Sequence, residues 1–192
     1  GGMGGGDTAA GIVAERFAAA VAGHINEGLA CLETILPQIF METHGEIINM
    51  GRDEARLATM GAALAGYAVD ASGEYLVFHA GDARVYRCRS GYAEPLTRDH
   101  ALPGHGPLTN CIGGGMSRDT VFLEMRRPGG NRLEAGQTLL ACSDGLHAFI
   151  DENALDEIIT ASEQGHAMAD KICEMVRTGQ APDNFSVVMA RG

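Results

Sequence analysis

The chain is expected to fold as an α+β protein built on antiparallel sheet, and three features of its pattern lead there. Apolar residues recur at helical spacing through the first quarter, and short strand-like runs parted by glycine turns fill the middle. Two more helical stretches then precede one last apolar run. The middle runs are too close together for parallel crossovers, so they call for hairpins, and helices segregated from such a meander are the mark of the class.

Each element can be argued in order. Gly1 to Gly6 reads as a glycine-rich turn, with Asp7-Thr8 as the N-cap of a helix over Thr8 to Ala22 that carries Ile12, Val13, Phe17 and Val21. A second helix is expected over Asn26 to Ile48, with a kink or break near Leu36 because Pro37 lacks the N–H a helix needs. Strands are expected at Thr59 to Val69, Glu74 to His79, Ala83 to Cys88 and Tyr92 to Leu96, with turns at Ser72-Gly73, Gly81-Asp82 and Ser90-Gly91. Arg98 to Gly115 reads as a loop, rich in glycine and holding Pro103 and Pro107. Strands resume at Val121 to Met125 and Thr138 to Cys142, helices follow at Asn153 to Ala161 and Glu163 to Thr178, and Phe185 to Ala190 is the last strand.

With 192 residues the chain can bury one sizeable core and is read as a single domain over 1–192. Fourteen Lys and Arg stand against 25 Asp and Glu, a formal charge of −11 with histidine neutral. A field of that sign disfavours nucleic acid and anionic membranes as partners. It also means that a phosphorylated substrate would need a local cation. No apolar run approaches the ~20 residues of a membrane span, and the N-terminus does not read as a signal peptide. Cys31, Cys88, Cys111, Cys142 and Cys173 are scattered and odd in number, which fits small core residues in a reducing cytoplasm.

Three aspartates sit at predicted strand ends. Asp82 lies in HAGDAR, Asp144 in LLACSDG and Asp183 in APDNFSVVM. Carboxylates on rigid elements are what a site of fixed geometry requires, and hard oxygen ligands suit Mg²⁺ or Mn²⁺. Each is equally an ordinary turn residue when taken alone. The histidines His44, His79, His100, His105, His147 and His166 show no HxH or HExxH spacing, so packing is their default reading.

What joins the three is a set of motifs in order: GGMGGG, ATMGAALAGYAVD, HAGDARVYRCRSGYAEPLTRDH, LLACSDGLHAFI and APDNFSVVMARG. Together they resemble the metal-dependent protein serine/threonine phosphatases of type 2C, in their bacterial branch, over nearly the whole chain. The resemblance implies an α-β-β-α architecture, a β-sandwich of two antiparallel sheets flanked by helices on both sides. It implies two or three Mn²⁺ or Mg²⁺ ions, with Asp144 and Asp183 as ligands of a binuclear centre and Asp82 on a third, weaker ion. Gly2 matches a glycine whose backbone carbonyl touches a metal, and Asn184 matches a residue supporting the terminal aspartate. For Arg84, Asp99 and His100 it implies packing or loop anchoring. The expected substrates are phosphorylated proteins shared with a cognate Ser/Thr kinase, hydrolysed in the cytoplasm by a metal-activated water.

Two departures stand against the family pattern. Gly1 occupies the place of an aspartate that bridges both metals, and the upstream strand pair with its phosphate-binding Arg has no counterpart. The stretch Asp99 to Thr109 is shorter than the family's flap. The resemblance therefore leaves open an active phosphatase, whose bridging aspartate and Arg-bearing strand would lie upstream of Gly1, a truncated or inactivated form, or a catalytically impaired phosphoprotein-binding domain.

Overall fold

In a computed structural model describing residues 4–89, 92–104, 106–128, 131–150, 152–160, 165–178 and 184–192, the helical spacing of the first quarter becomes two long helices. Helix α1 (Gly6–His24) buries Ala9, Val13, Phe17 and Ala20 along one face. It starts ahead of the expected cap: Gly5, at φ 80°, precedes it with no side-chain bond, and Asp7 falls in the first turn. There its negative charge faces the positive end of the helix dipole.

Helix α2 (Leu29–Asp53) buries Leu29, Leu32, Leu36, Phe40, Thr43, His44 and Ile47. It begins later than Asn26 because Ile25–Glu27 form a 3₁₀ turn and Gly28 redirects the chain at φ 94°. Pro37 lies inside the helix without ending it. The one backbone bond that proline forfeits is offset by the burial of Leu36 and Phe40 on either side.

The strands are β1 (Gly61–Ala62), β2 (Leu64–Val69), β3 (Tyr75–Ala80), β4 (Arg84–Arg89), β5 (Tyr92–Pro95), β6 (Ile112–Gly113), β7 (Glu124–Arg126), β8 (Thr138–Cys142) and β9 (Val187–Arg191). They form a β1-β6 pair, a sheet in the order β2-β3-β7 and a sheet in the order β5-β4-β8-β9. The β1-β6, β4-β5, β4-β8 and β8-β9 pairs are antiparallel, with Tyr86 opposite Leu140 and Leu140 opposite Met189. The remaining helices are α3 (Asp144–His147), α4 (Glu152–Thr160) and α5 (Gly165–Thr178). The fold class is thus α+β with antiparallel sheet, as expected.

Several boundaries moved, each for a local reason. The run Thr59 to Val69 divides at Ala63 into β1 and β2. Within the expected loop, Ile112 and Gly113 pair with Ala62 and Gly61. The strand expected at Val121 starts only at Glu124, because the Asn110 side chain takes the place of a neighbouring strand. Its Oδ1 accepts the Phe122 N–H at 3.2 Å and its Nδ2 donates to the Phe122 carbonyl at 2.9 Å.

The chain divides into two compact units. Unit 1 (Gly1–Leu64, Phe78–Asp82 and Asp99–Arg126) holds α1 and α2, with Phe17 stacked on Phe78 at 5.8 Å. Unit 2 (Ala65–Val77, Ala83–Arg98 and Arg127–Gly192) is built on the β5-β4-β8-β9 sheet. One group of its buried side chains joins Tyr86, Cys88 and Leu140 to Leu155, Ile158, Met168, Ile172 and Val176 of α4 and α5. Another joins Tyr75, Val77, Val85, Leu96 and Leu139. No helix among the described residues is long and apolar enough to cross a membrane.

Candidate functional site

In unit 1, Asp82 lies half-buried in the turn between β3 and β4. Gly81 before it holds φ 106°, and a Cβ there would stand 2.6 Å from the Ala63 Cβ, so the turn admits only glycine. The charge of Asp82 is felt at Cys111, whose thiol is pushed up to about 11 by burial first and by that carboxylate second.

His100 braces this turn. Its backbone N–H donates to the Gly81 carbonyl at 2.8 Å, and the Gly81 N–H donates to its Nδ1 at 3.3 Å. Asn110 Nδ2 points at the same Nδ1 from 3.0 Å, and His100 Nε2 lies 3.1 Å from Glu124 Oε2. The ring stacks on buried His79 at 4.4 Å and tilts against Phe122 at 5.0 Å.

His79, His100 and Glu124 bring one potential ligand atom each within 4.8 Å of one another. The tautomer decides what such a group can do. Two N–H donors converge on Nδ1, so the proton of the neutral ring sits on Nε2 and is donated to Glu124. A protonated nitrogen has no lone pair for a cation. The trio is therefore better suited to bracing the turn than to coordination.

In unit 2, Asp144 opens the short helix α3 directly after the fully buried strand β8. Its carboxylate is exposed, and Oδ1 accepts the Gly145 N–H at 3.0 Å. The turn is tied to the last segment of the chain at Ser143. The Ser143 N–H donates to the Ser186 carbonyl at 3.1 Å, and the Ser186 N–H donates to Ser143 Oγ at 3.0 Å. Gly145 lies flat against the backbone of Asn184, where a Cβ would overlap the carbonyl oxygen and stand 2.9 Å from the carbonyl carbon.

Of the expected site residues, Asp144 and Asn184 are thus brought together through Gly145, and Asp82 stands on the braced turn of unit 1. Gly2 and Asp183 lie outside the described residues. Arg84 donates from Nη1 to the Tyr86 hydroxyl at 3.0 Å, and Asp99 is half-buried. The donor chemistry of Asp82 and Asp144, carboxylate oxygens on braced turns, fits a hard divalent cation such as Mg²⁺ or Mn²⁺. The parts of the brace that sequence reasoning missed are Asn110 and Glu124, which lie 10 and 24 residues beyond His100 with no local motif around them.

No protein-family profile matches the chain. The serine/threonine phosphatase stp of Listeria monocytogenes is 25% identical over 178 residues, an alignment covering 82% of this chain and 67% of that protein. The solved structure of the Mycobacterium tuberculosis serine/threonine phosphatase PstP/Ppp superposes with a TM-score of 0.74 at 22% identity, covering 98% of this chain and 83% of that one. PppA, described as a key regulatory component of T6SS in Pseudomonas aeruginosa, superposes with a TM-score of 0.68 at 24% identity over 85% and 69%. In its ordered motifs, its fold and these relatives the chain resembles the type 2C protein serine/threonine phosphatases of bacteria.

Proposed function

We propose that the chain hydrolyses phosphoserine and phosphothreonine esters on proteins, with Asp144 and Asp183 holding a central pair of Mn²⁺ or Mg²⁺ ions and Asp82 a third. Gly2 would lend a backbone carbonyl, and Asn184 would support its neighbour Asp183. The observation that carries this reading is the seating of Gly145 on Asn184. It joins the turn of the first carboxylate to the residue that follows the second in the chain.

When bound, the ions supply a water of lowered pKa and neutralise phosphate oxygens. The chain's own part is to aim carboxylates and hold them still. Ser143 and Ser186 tie the Asp144 turn to the last segment through two hydrogen bonds, and His100 grips the turn of Asp82. The net charge of −11 supplies no basic field for a phosphoester, so charge compensation falls to the cations.

Serine and threonine phosphoesters on proteins as substrates are supported by the names of the relatives, and a cognate Ser/Thr kinase acting on the same substrates is the proposed source of those phosphates. A reducing cytoplasmic setting is supported by five free cysteines, three of them buried. Residues 1–192 act together as one phosphatase-like domain on this reading, since both units are assembled from interleaved stretches of the chain.

Asp144→Asn is expected to abolish Mn²⁺-dependent hydrolysis of p-nitrophenyl phosphate while leaving the circular dichroism spectrum unchanged. Retained turnover would overturn the assignment. Phosphopeptide should be preferred over sugar phosphate. A wild-type chain that binds phosphopeptide without turning it over would favour the impaired, regulatory alternative.

A further inference from the structure

Gly81 is held by His100 from both sides of the residue: its carbonyl accepts the His100 N–H at 2.8 Å, and its own N–H donates to His100 Nδ1 at 3.3 Å. Asp82 follows directly, so whatever fixes Gly81 fixes the direction in which the Asp82 carboxylate leaves the turn. His100 is itself immobilised by partners outside the hairpin. Asn110 Nδ2 shares its Nδ1 at 3.0 Å, Glu124 takes its Nε2–H at 3.1 Å, and His79 and Phe122 enclose the ring. The Asn110 amide cannot turn over without breaking its two bonds to the Phe122 backbone. Every contact in this chain of constraints ends at the residue before Asp82.

We propose that His100 is a positioning residue for the Asp82 carboxylate, and that through the Gly81 clamp it sets the affinity of the cation Asp82 holds. The proposal rests on the reading of Asp82 as a cation ligand. The acceptor at Nδ1 is the operative atom, because it alone reaches the Gly81 N–H; the bond from Nε2 to Glu124 only steadies the ring.

That distinction gives a matched pair of variants. His100→Asn puts an amide oxygen where Nδ1 stands, two bonds from Cβ, and keeps the Gly81 clamp. His100→Gln carries its amide one bond further out, at the level of Nε2, and loses the clamp. Both remove the ring and its stacking, so any loss of packing is shared.

Calorimetric titration of the whole chain with Mn²⁺ is the readout, with melting temperature as the control for folding. Asp82→Asn should remove the weakest class of Mn²⁺ sites. His100→Gln should weaken that class roughly 10–100-fold, the usual effect of losing a group that orients a ligand, while His100→Asn stays within about threefold of wild type. In the Asp82→Asn background, the two His100 variants should titrate alike. If His100→Asn and His100→Gln have equal affinity in the wild-type background, whether weakened or not, the positioning role is wrong and the ligand role of Asp82 stands. If Asp82→Asn leaves the titration unchanged, the ligand assignment falls and the positioning role falls with it.

Discussion

Gly145 meets the backbone of Asn184 so closely that a Cβ would overlap the carbonyl oxygen and lie 3.4 Å from Phe185 Cα. Neither partner can yield easily. Gly145 is buried in the first turn of α3, and the next residues of the last segment are bonded to Ser143. Gly145→Ala is therefore expected to push the two segments apart, costing about 1–3 kcal/mol as overpacking does. If Asp144 and Asp183 share a metal pair, turnover should fall much further than stability. Urea denaturation beside Mn²⁺-dependent phosphatase assays would check this; an active, equally stable alanine variant would show that the contact carries no weight.

A buried ion pair in unit 2 makes a second test. Arg87 is 10% exposed at its side chain, and its Nε and Nη2 reach Glu94 Oε2 at 3.0 and 2.7 Å, while Nη1 donates to the Tyr75 hydroxyl at 3.2 Å. Removing the carboxylate alone takes the opposite charge away from a buried guanidinium. Glu94→Gln is expected to destabilise the chain by about 2–3 kcal/mol and Tyr75→Phe by about 1 kcal/mol. Changing both charged partners, as in Arg87→Met with Glu94→Gln, should recover much of the loss because no unpaired charge then remains. Urea midpoints of the three variants decide the matter, and a double variant worse than Glu94→Gln would contradict it.

How much of this was legible beforehand differs by the range of the interaction. The helix faces and β8, whose five residues are all buried, follow from local periodicity and were placed within a few residues. The strand after Phe122 was misplaced because what holds Phe122 is a side chain 12 residues away, and no pattern marks that substitution. The same applies to the candidate site. GDAR, TRDH and SDGL pointed to Asp82, His100 and Asp144 through family likeness. Glu124 and Asn110 join them only through tertiary pairing, and the seating of Gly145 on Asn184 required the final segment to be folded back.

Pro37 tests the balance struck in α2. It sits in the ninth position of a 25-residue helix and denies one bond to the preceding turn. Pro37→Ala restores an N–H there and removes a ring that crowds it, while making the unfolded chain somewhat more flexible. The net expectation is a gain of about 1–2 kcal/mol. Such a gain corresponds to a melting temperature roughly 2–8 °C higher for a chain of this size. A lower melting temperature would mean that the packing of Leu36 and Phe40 depends on the proline.

His44 supplies a pH test whose sign can be worked out. The side chain is 2% exposed on α2, and its Nδ1 accepts the Gly113 N–H at 3.1 Å. Burial lowers its pKa below 6.5, a bond to the Met116 backbone opposes the shift, and the charge of Arg118 adds to it. The neutral ring is thus favoured in the fold. Above pH 6.5 both folded and unfolded chains carry it neutral, and its contribution is fully present. As the pH falls below 6.5 the unfolded chain takes up the proton first, so stability is lost until the folded pKa is passed, at no more than about 1.4 kcal/mol per pH unit. His44→Asn keeps an acceptor for the Gly113 N–H but cannot titrate. Urea midpoints at pH 8 and pH 5 should therefore fall more for wild type than for the variant, since the carboxylates common to both contribute equally. Equal falls would show that His44 is protonated as readily in the fold as outside it.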